Sequence, residues 1–194
     1  MTATDPEALR VAFLVFDVLD SLGRKYHLGG SYASSIHGIP RQTHDIDIVS
    51  EIQLGDQETL DRKLAGDFYC DREQIAMAIT KGSSFNLVHL ETGVKIDIFP
   101  QGASPFDKDE QKRSQLIPLG DPPRSVPVKT AEDTILRKLE WYRLGGGVSD
   151  RQWGDVLGIL ETQIDQLNLE YLRSRSPALG VEDLVEKALD NANT

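Results

Sequence analysis

Apolar residues recur at helical spacing near the start of the chain: Leu9, Ala12, Phe13, Phe16 and Leu19, extending to Leu22. This stripe predicts an amphipathic first helix. Thr4 or Asp5 caps it, Pro6 sits in its first turn and Gly23 ends it. The period then changes from helix to strand. Tyr26–Leu28 reads as a short strand that feeds a Gly29-Gly30-Ser31 turn and a short helical segment, broken at Gly38 and Pro40. In Asp45–Val49, Ile46 and Ile48 share one face of a strand and Asp45 and Asp47 share the other. Residues 56–65, with Leu60 and Leu64, and residues 71–81, with Ile75, Ala78 and Ile79, read as covering helices with their charges outward. Phe85–Leu90 and Val94–Phe99 form a hairpin around Glu91-Thr92-Gly93.

Beyond the hairpin the pattern weakens. Six prolines fall between positions 100 and 127, with a polar patch at 107–113. This region reads as a link, with a strand at Gln115–Leu119, a turn at Gly120-Asp121-Pro122-Pro123 and an extended piece at Ser125–Val128. Helical spacing returns at Ala131–Leu144, capped by Thr130 with Asp133 three residues on. Gly145-Gly146-Gly147 interrupts it, and Ser149 caps a helix with Trp153, Val156, Leu157 and Leu160 inward. Helices at 167–173 and 181–188 follow, and Asn191–Thr194 reads as a frayed end. The expected organisation is a first unit over residues 1–128 and a helical subdomain over 129–194.

The chain has 194 residues and a formal net charge of −10, which argues against electrostatically driven nucleic-acid binding over a broad surface. One cysteine, Cys70, allows neither an internal disulfide nor a cysteine-rich zinc site. No apolar run approaches the roughly 20 residues of a membrane span, and the first residues carry no secretion signal. A soluble, cytoplasmic protein without membrane contact is expected.

The chemistry concentrates between Gly29 and Glu51. Two carboxylates on one face of a strand, Asp45 and Asp47, repel each other unless a cation lies between them. Asp97 sits opposite the apolar face of Val94, Ile96 and Ile98, so a neighbouring strand would bring it to the pair; Lys95 shares its face, and a plain Lys95–Asp97 ion pair is the structural alternative. Carboxylate-only ligation suits Mg²⁺ or Mn²⁺, and such ions serve phosphoryl and nucleotidyl transfer. The glycines at 29 and 30 let a backbone approach a phosphate, and Ser31 adds a hydroxyl; without the carboxylates, the same three residues are only a tight turn. Arg41 and Thr43 are candidate triphosphate contacts, Arg41 reading equally well as a solvated loop residue, while His44 points away from Asp45 and reads as structural.

Gly29-Gly30-Ser31, then Asp45-x-Asp47, then Asp97 resembles the nucleotidyltransferase superfamily of DNA polymerase beta type over about the first hundred residues. The resemblance implies an α+β fold, a nucleotidyltransferase-type mixed β-sheet flanked by helices, with a C-terminal helical extension. It also implies a nucleoside triphosphate substrate and metal ligation by Asp45, Asp47 and Asp97. Residues 131–139 and 149–157 are similar to the helical part of AbiEii-type nucleotidyltransferases, a group that includes toxins of toxin–antitoxin pairs. That similarity implies phosphate contact by Lys138, nucleotide binding by Arg151 and a catalytic role for Asp155. The acceptor stays open between a tRNA end, a protein hydroxyl and a small molecule, and an antitoxin partner is what the toxin members imply. Two rival readings are a haloacid-dehalogenase-type phosphatase, which leaves the glycine turn unused, and a catalytically silent domain that binds a nucleotide or a partner.

Overall fold

The computed structural model describes residues 6–43 and 45–192; Thr4, Asp5, His44, Asn193 and Thr194 lie outside the described residues. The chain runs α1 (Pro6–Ser21), β1 (Tyr26–Leu28), α2 (Gly30–His37), β2 (Asp45–Ser50), α3 (Asp56–Leu64), β3 (Phe68–Tyr69), α4 (Arg72–Lys81), β4 (Phe85–His89) and β5 (Lys95–Pro100). It continues through α5 (Pro105–Arg113), β6 (Gln115–Leu119), β7 (Arg124–Val128), α6 (Ala131–Leu144), α7 (Asp150–Gln163), α8 (Leu169–Leu179) and α9 (Glu182–Ala192). The strands form one mixed sheet in the order β3-β4-β5-β2-β1-β7-β6. Its centre decides the function: β2 and β5 are parallel neighbours, and β1 runs antiparallel to β2.

Period-two patterning explains why these strands lie in the middle. Ile46, Ile48, Ile96 and Ile98 are fully buried on one face, where they meet Phe16, Leu19 and Leu60 from the covering helices α1 and α3. A one-residue slip of β2 would move the isoleucines out and the carboxylates in, so burial pins the register. That register sets Asp47 opposite Asp97 and Asp45 opposite Lys95. A second apolar core, built from Leu136, Leu139, Val156, Ile159, Leu172 and Val185 among others, joins α6–α9.

The structure differs from the pattern reading between residues 104 and 128. Residues 105–113 are a helix, not a polar link: Ser104 accepts the Asp107 amide at 3.1 Å and Asp107 accepts the Ser104 amide at 3.0 Å, with Pro105 at the first turn. Phe106 of this helix packs in the second core. β6 and β7 are a hairpin inside the sheet, because β7 adds to β1 in parallel through Leu28 and Val128. α8 continues to Leu179 past Pro177, and Asn191 and Ala192 belong to α9. No helix among the described residues is long and apolar enough to cross a membrane.

α2 and α7 meet at a glycine. A Cβ on Gly38 would come within 2.7 Å of the Ile159 backbone nitrogen, so only a glycine allows this approach. The contact holds the segment that carries Ser31 and Ser34 against the helix that carries Asp155.

Candidate active site

β1 delivers the chain to Gly29, whose amide donates to the Asp47 carbonyl at 2.9 Å. Gly30 then turns with φ +52, and a Cβ there would lie 1.7 Å from Asp47 Oδ2. Glycine is required at this position twice over, by its backbone angle and by the absence of space. The Ser31 amide, at the start of α2, points to Asp47 Oδ2 at 3.4 Å. The helix start expected to face a phosphate therefore holds an anion already, and it is the carboxylate of Asp47.

Asp47 and Asp97 stand side by side across two parallel strands, with Asp45 one pleat further on the same face. The Lys95 ammonium contacts Asp97 Oδ2 at 2.8 Å and Asp45 Oδ2 at 3.7 Å. Among the described residues no three His, Cys, Asp or Glu side chains are gathered to hold a metal ion as they stand. Lys95 supplies the positive charge in their midst instead. Its side chain is 37% exposed, so it has an open way out. Three carboxylates sharing a face with one half-exposed lysine are a donor set suited to a hard divalent ion.

Across the cleft, α6 and α7 bring a second cluster. Asp155 accepts from Arg41 Nε at 2.7 Å and Nη2 at 3.0 Å, a bidentate pair, and from Lys138 Nζ at 2.7 Å. Ser34 donates to the same carboxylate at 3.2 Å, and Arg41 donates to the Ser31 hydroxyl. Residues from the turn, from the loop before β2, and from two helices 100 residues further on thus form one network. Asp47, Gly30, Ser31 and Lys138 face a cleft of about 600 Å³ between the sheet and the helices.

No protein-family model and no curated protein sequence matches the chain. Solved structures do. The antibiotic-resistance factor ANT(2'')-Ia superposes with a TM-score of 0.54 at 12% identity, covering 96% of this chain and 97% of that one. An antigenic nucleotidyltransferase-like protein from Paracoccidioides brasiliensis gives a TM-score of 0.54 at 17% identity over 95% of this chain and 93% of the other. A Thermotoga maritima protein taken to be a nucleotidyltransferase gives 0.50 at 19% identity over 77% and 94%. The fold is that of the nucleotidyltransferases.

Within this nucleotidyltransferase fold the electrostatics separate the two clusters. Burial raises the pKa of Asp47, and the neighbouring Asp97 raises it further, so this carboxylate is short of positive charge. Burial would also raise Asp155, but hydrogen bonds from Arg41 and Lys138 outweigh it and hold that carboxylate below its ordinary range. Burial lowers Lys138, with Asp155 opposing. The first cluster, three carboxylates to one lysine, carries net negative charge and suits a cation; the second, one carboxylate to two cations, carries net positive charge.

Of the residues marked in the sequence, Arg41, Thr43, Asp45, Asp97, Arg151 and Asp155 do not line the cleft, and the side chains of Arg151 and Thr43 join neither cluster. Arg151 is exposed in the first turn of α7, is not among the residues lining the cleft and makes no ion pair among the described residues; the arginine on Asp155 is Arg41. Thr43 donates to the carbonyl of Asp45, two residues on, at 3.3 Å and is not among the residues lining the cleft. Conversely, Glu110, Lys129 and Arg137 line the cleft floor without having been singled out. In the sequence Arg137 reads as a surface charge of the helix, and nothing there pairs it with Glu110.

Proposed function

We propose that the chain is a metal-dependent nucleotidyltransferase, moving a nucleoside monophosphate from a nucleoside triphosphate to an acceptor hydroxyl with release of pyrophosphate. One observation carries this: Asp47 and Asp97 lie paired on parallel central strands, and Asp47 lies against a glycine turn with no room for a side chain. Asp45, Asp47 and Asp97 are the residues that would hold Mg²⁺ or Mn²⁺, beside the point where Lys95 now contacts Asp45 and Asp97. Such an ion, when bound, supplies neutralisation of the triphosphate and acidifies the acceptor hydroxyl.

The remaining work falls to the chain. Ser31 and Lys138, which both line the cleft, bind the phosphates. Asp155 orients Lys138 and Arg41 and keeps both charged. Asp97 accepts the proton of the attacking hydroxyl; the new bond forms at the α-phosphorus and the bond to the bridging oxygen breaks, so that pyrophosphate leaves with the electron pair. The acceptor is a small polar molecule. A cleft of about 600 Å³ and a net charge of −10 suit a compact neutral or cationic acceptor better than a polyanionic RNA. ANT(2'')-Ia, which shares the fold at 12% identity, is seen in complex with adenylyl-2''-tobramycin.

The test is transfer of α-labelled nucleotide, with Mg²⁺, to a panel of aminoglycosides, lincosamides and other hydroxylated amines, with total tRNA alongside. Label on a small molecule supports the reading, label on tRNA corrects the acceptor, and no label on either with any triphosphate overturns it.

A further inference from the structure

Lys129 follows β7 and has its main chain tied on both sides. Its amide donates to Leu28 O at 2.9 Å, the last residue before the glycine turn, and its carbonyl accepts from His37 Nε2 at 2.6 Å, at the end of α2. The residue is therefore fixed to both elements that flank Gly29-Gly30-Ser31. Its side chain is 6% exposed, yet it lines the cleft, and its ammonium lies 3.6 Å from where a Cβ on Gly29 would stand. An ammonium carries three N–H donors. Among the described residues this one has a single partner, Glu110 Oε1 at 2.8 Å. Glu110 does not depend on it: Arg137 reaches both carboxylate oxygens, at 3.1 and 3.2 Å. A buried pair of this kind is costly where it only holds the fold. Here it leaves a lysine with unspent donors, preoriented under a turn that bears no side chains.

We propose that Lys129 is a phosphate-binding residue of the cleft, contacting the triphosphate from beneath the Gly29-Gly30 turn while Lys138 contacts it from the helical side. Glu110 and Arg137 are its positioning residues: Glu110 fixes the ammonium, and Arg137 fixes Glu110. The inference rests on the nucleotidyl-transfer reading and adds a contact that neither the glycine turn nor the carboxylates supply.

Inorganic tripolyphosphate isolates the interaction, because it has no base or sugar. Its affinity is measured by calorimetry for the wild type, Lys129→Met, Lys129→Met/Glu110→Gln and Lys138→Met, with adenosine as a ligand that bears no phosphate. Losing one charged contact corresponds to a weakening of about 10- to 100-fold. Lys129→Met should lose that much for tripolyphosphate, keep its adenosine affinity, and recover in Lys129→Arg. The double variant separates contact from scaffold. It neutralises the Glu110 carboxylate together with the lysine, so a lysine that served only Glu110 would give wild-type affinity in the double variant. Weak tripolyphosphate binding by a folded double variant supports the contact. Wild-type affinity there, with Lys138→Met still weakened, overturns the role of Lys129 and leaves the nucleotidyl-transfer reading standing. Failure of the wild type to bind tripolyphosphate or any nucleoside triphosphate overturns both.

Discussion

Asp47→Asn is the perturbation with the clearest physical consequence. The carboxylate is buried beside Asp97 with its pKa raised by burial and by that neighbour, so in its ionised form it weighs against the metal-free fold. Asparagine keeps the shape and removes the charge. Relief of a like-charge pair facing across two strands amounts to about 0.2–1 kcal/mol. For a chain of this size that corresponds to a melting temperature higher by roughly 0.4–4 °C in chelator. Divalent metal should reverse the ranking. An ion at 100 times its Kd stabilises the protein that binds it by about 2.7 kcal/mol. The wild type should then melt roughly 5–11 °C higher with Mg²⁺ or Mn²⁺, and the variant hardly at all. The sign with pH follows from the raised pKa: the penalty is absent while Asp47 is protonated and appears as pH rises through that value. The advantage of the variant in chelator should accordingly be largest at neutral pH and shrink in acid. Differential scanning calorimetry with and without metal reads all of this. An equal metal shift in both proteins, or a variant less stable than the wild type in chelator, would refute the reasoning.

Three further perturbations follow from the same geometry. Lys95→Met removes the cation that competes for the carboxylates, so metal affinity should rise while metal-free stability changes by less than about 1 kcal/mol, as expected of a half-exposed pair; a metal titration checks it. Gly30→Ala forces a side chain into Asp47 at a positive φ, and should cost about 1–2 kcal/mol for the backbone alone while abolishing transfer; an active, stable variant would contradict the close approach. Asp155→Ala leaves Arg41 and Lys138 without their shared counter-ion, a loss of about 3–5 kcal/mol by denaturant unfolding. Because the pKa of Asp155 is lowered, its contribution is present above the unfolded value of about 3.9 and fades as pH falls through the folded one, so wild type and variant should converge in strong acid.

The parts of this site that were readable from the sequence are those fixed by local periodicity. Asp45 and Asp47 share a face because Ile46 and Ile48 must be buried, and Asp97 joins them because its own strand alternates in the same way. The glycine turn is local as well. What the pattern could not supply is contact between distant elements. Asp155 has an arginine four residues before it in Arg151, but its partner, Arg41, lies 114 positions away and arrives only through the close passage of α2 over α7. Lys129, Glu110 and Arg137 come from three elements, and no spacing rule joins them. The helix at 105–113 was hidden by its charges, since its burial rests on Phe106, Glu110 and Gln111 rather than on an apolar stripe. Its start was written in Ser104, Pro105 and Asp107. β3, two residues long, is below what alternation can reveal.

The central claim, attack at the α-phosphorus directed by Asp47 and Asp97, is tested most directly by the position of the label. The protein is incubated with Mg²⁺, an acceptor panel and the same triphosphate labelled either at the α- or at the γ-phosphorus, with Asp47→Asn as the control. The account predicts acceptor labelled from the α-position only, pyrophosphate in equal amount, and neither product from the variant. Label arriving from the γ-position, or transfer undiminished in Asp47→Asn, would contradict it.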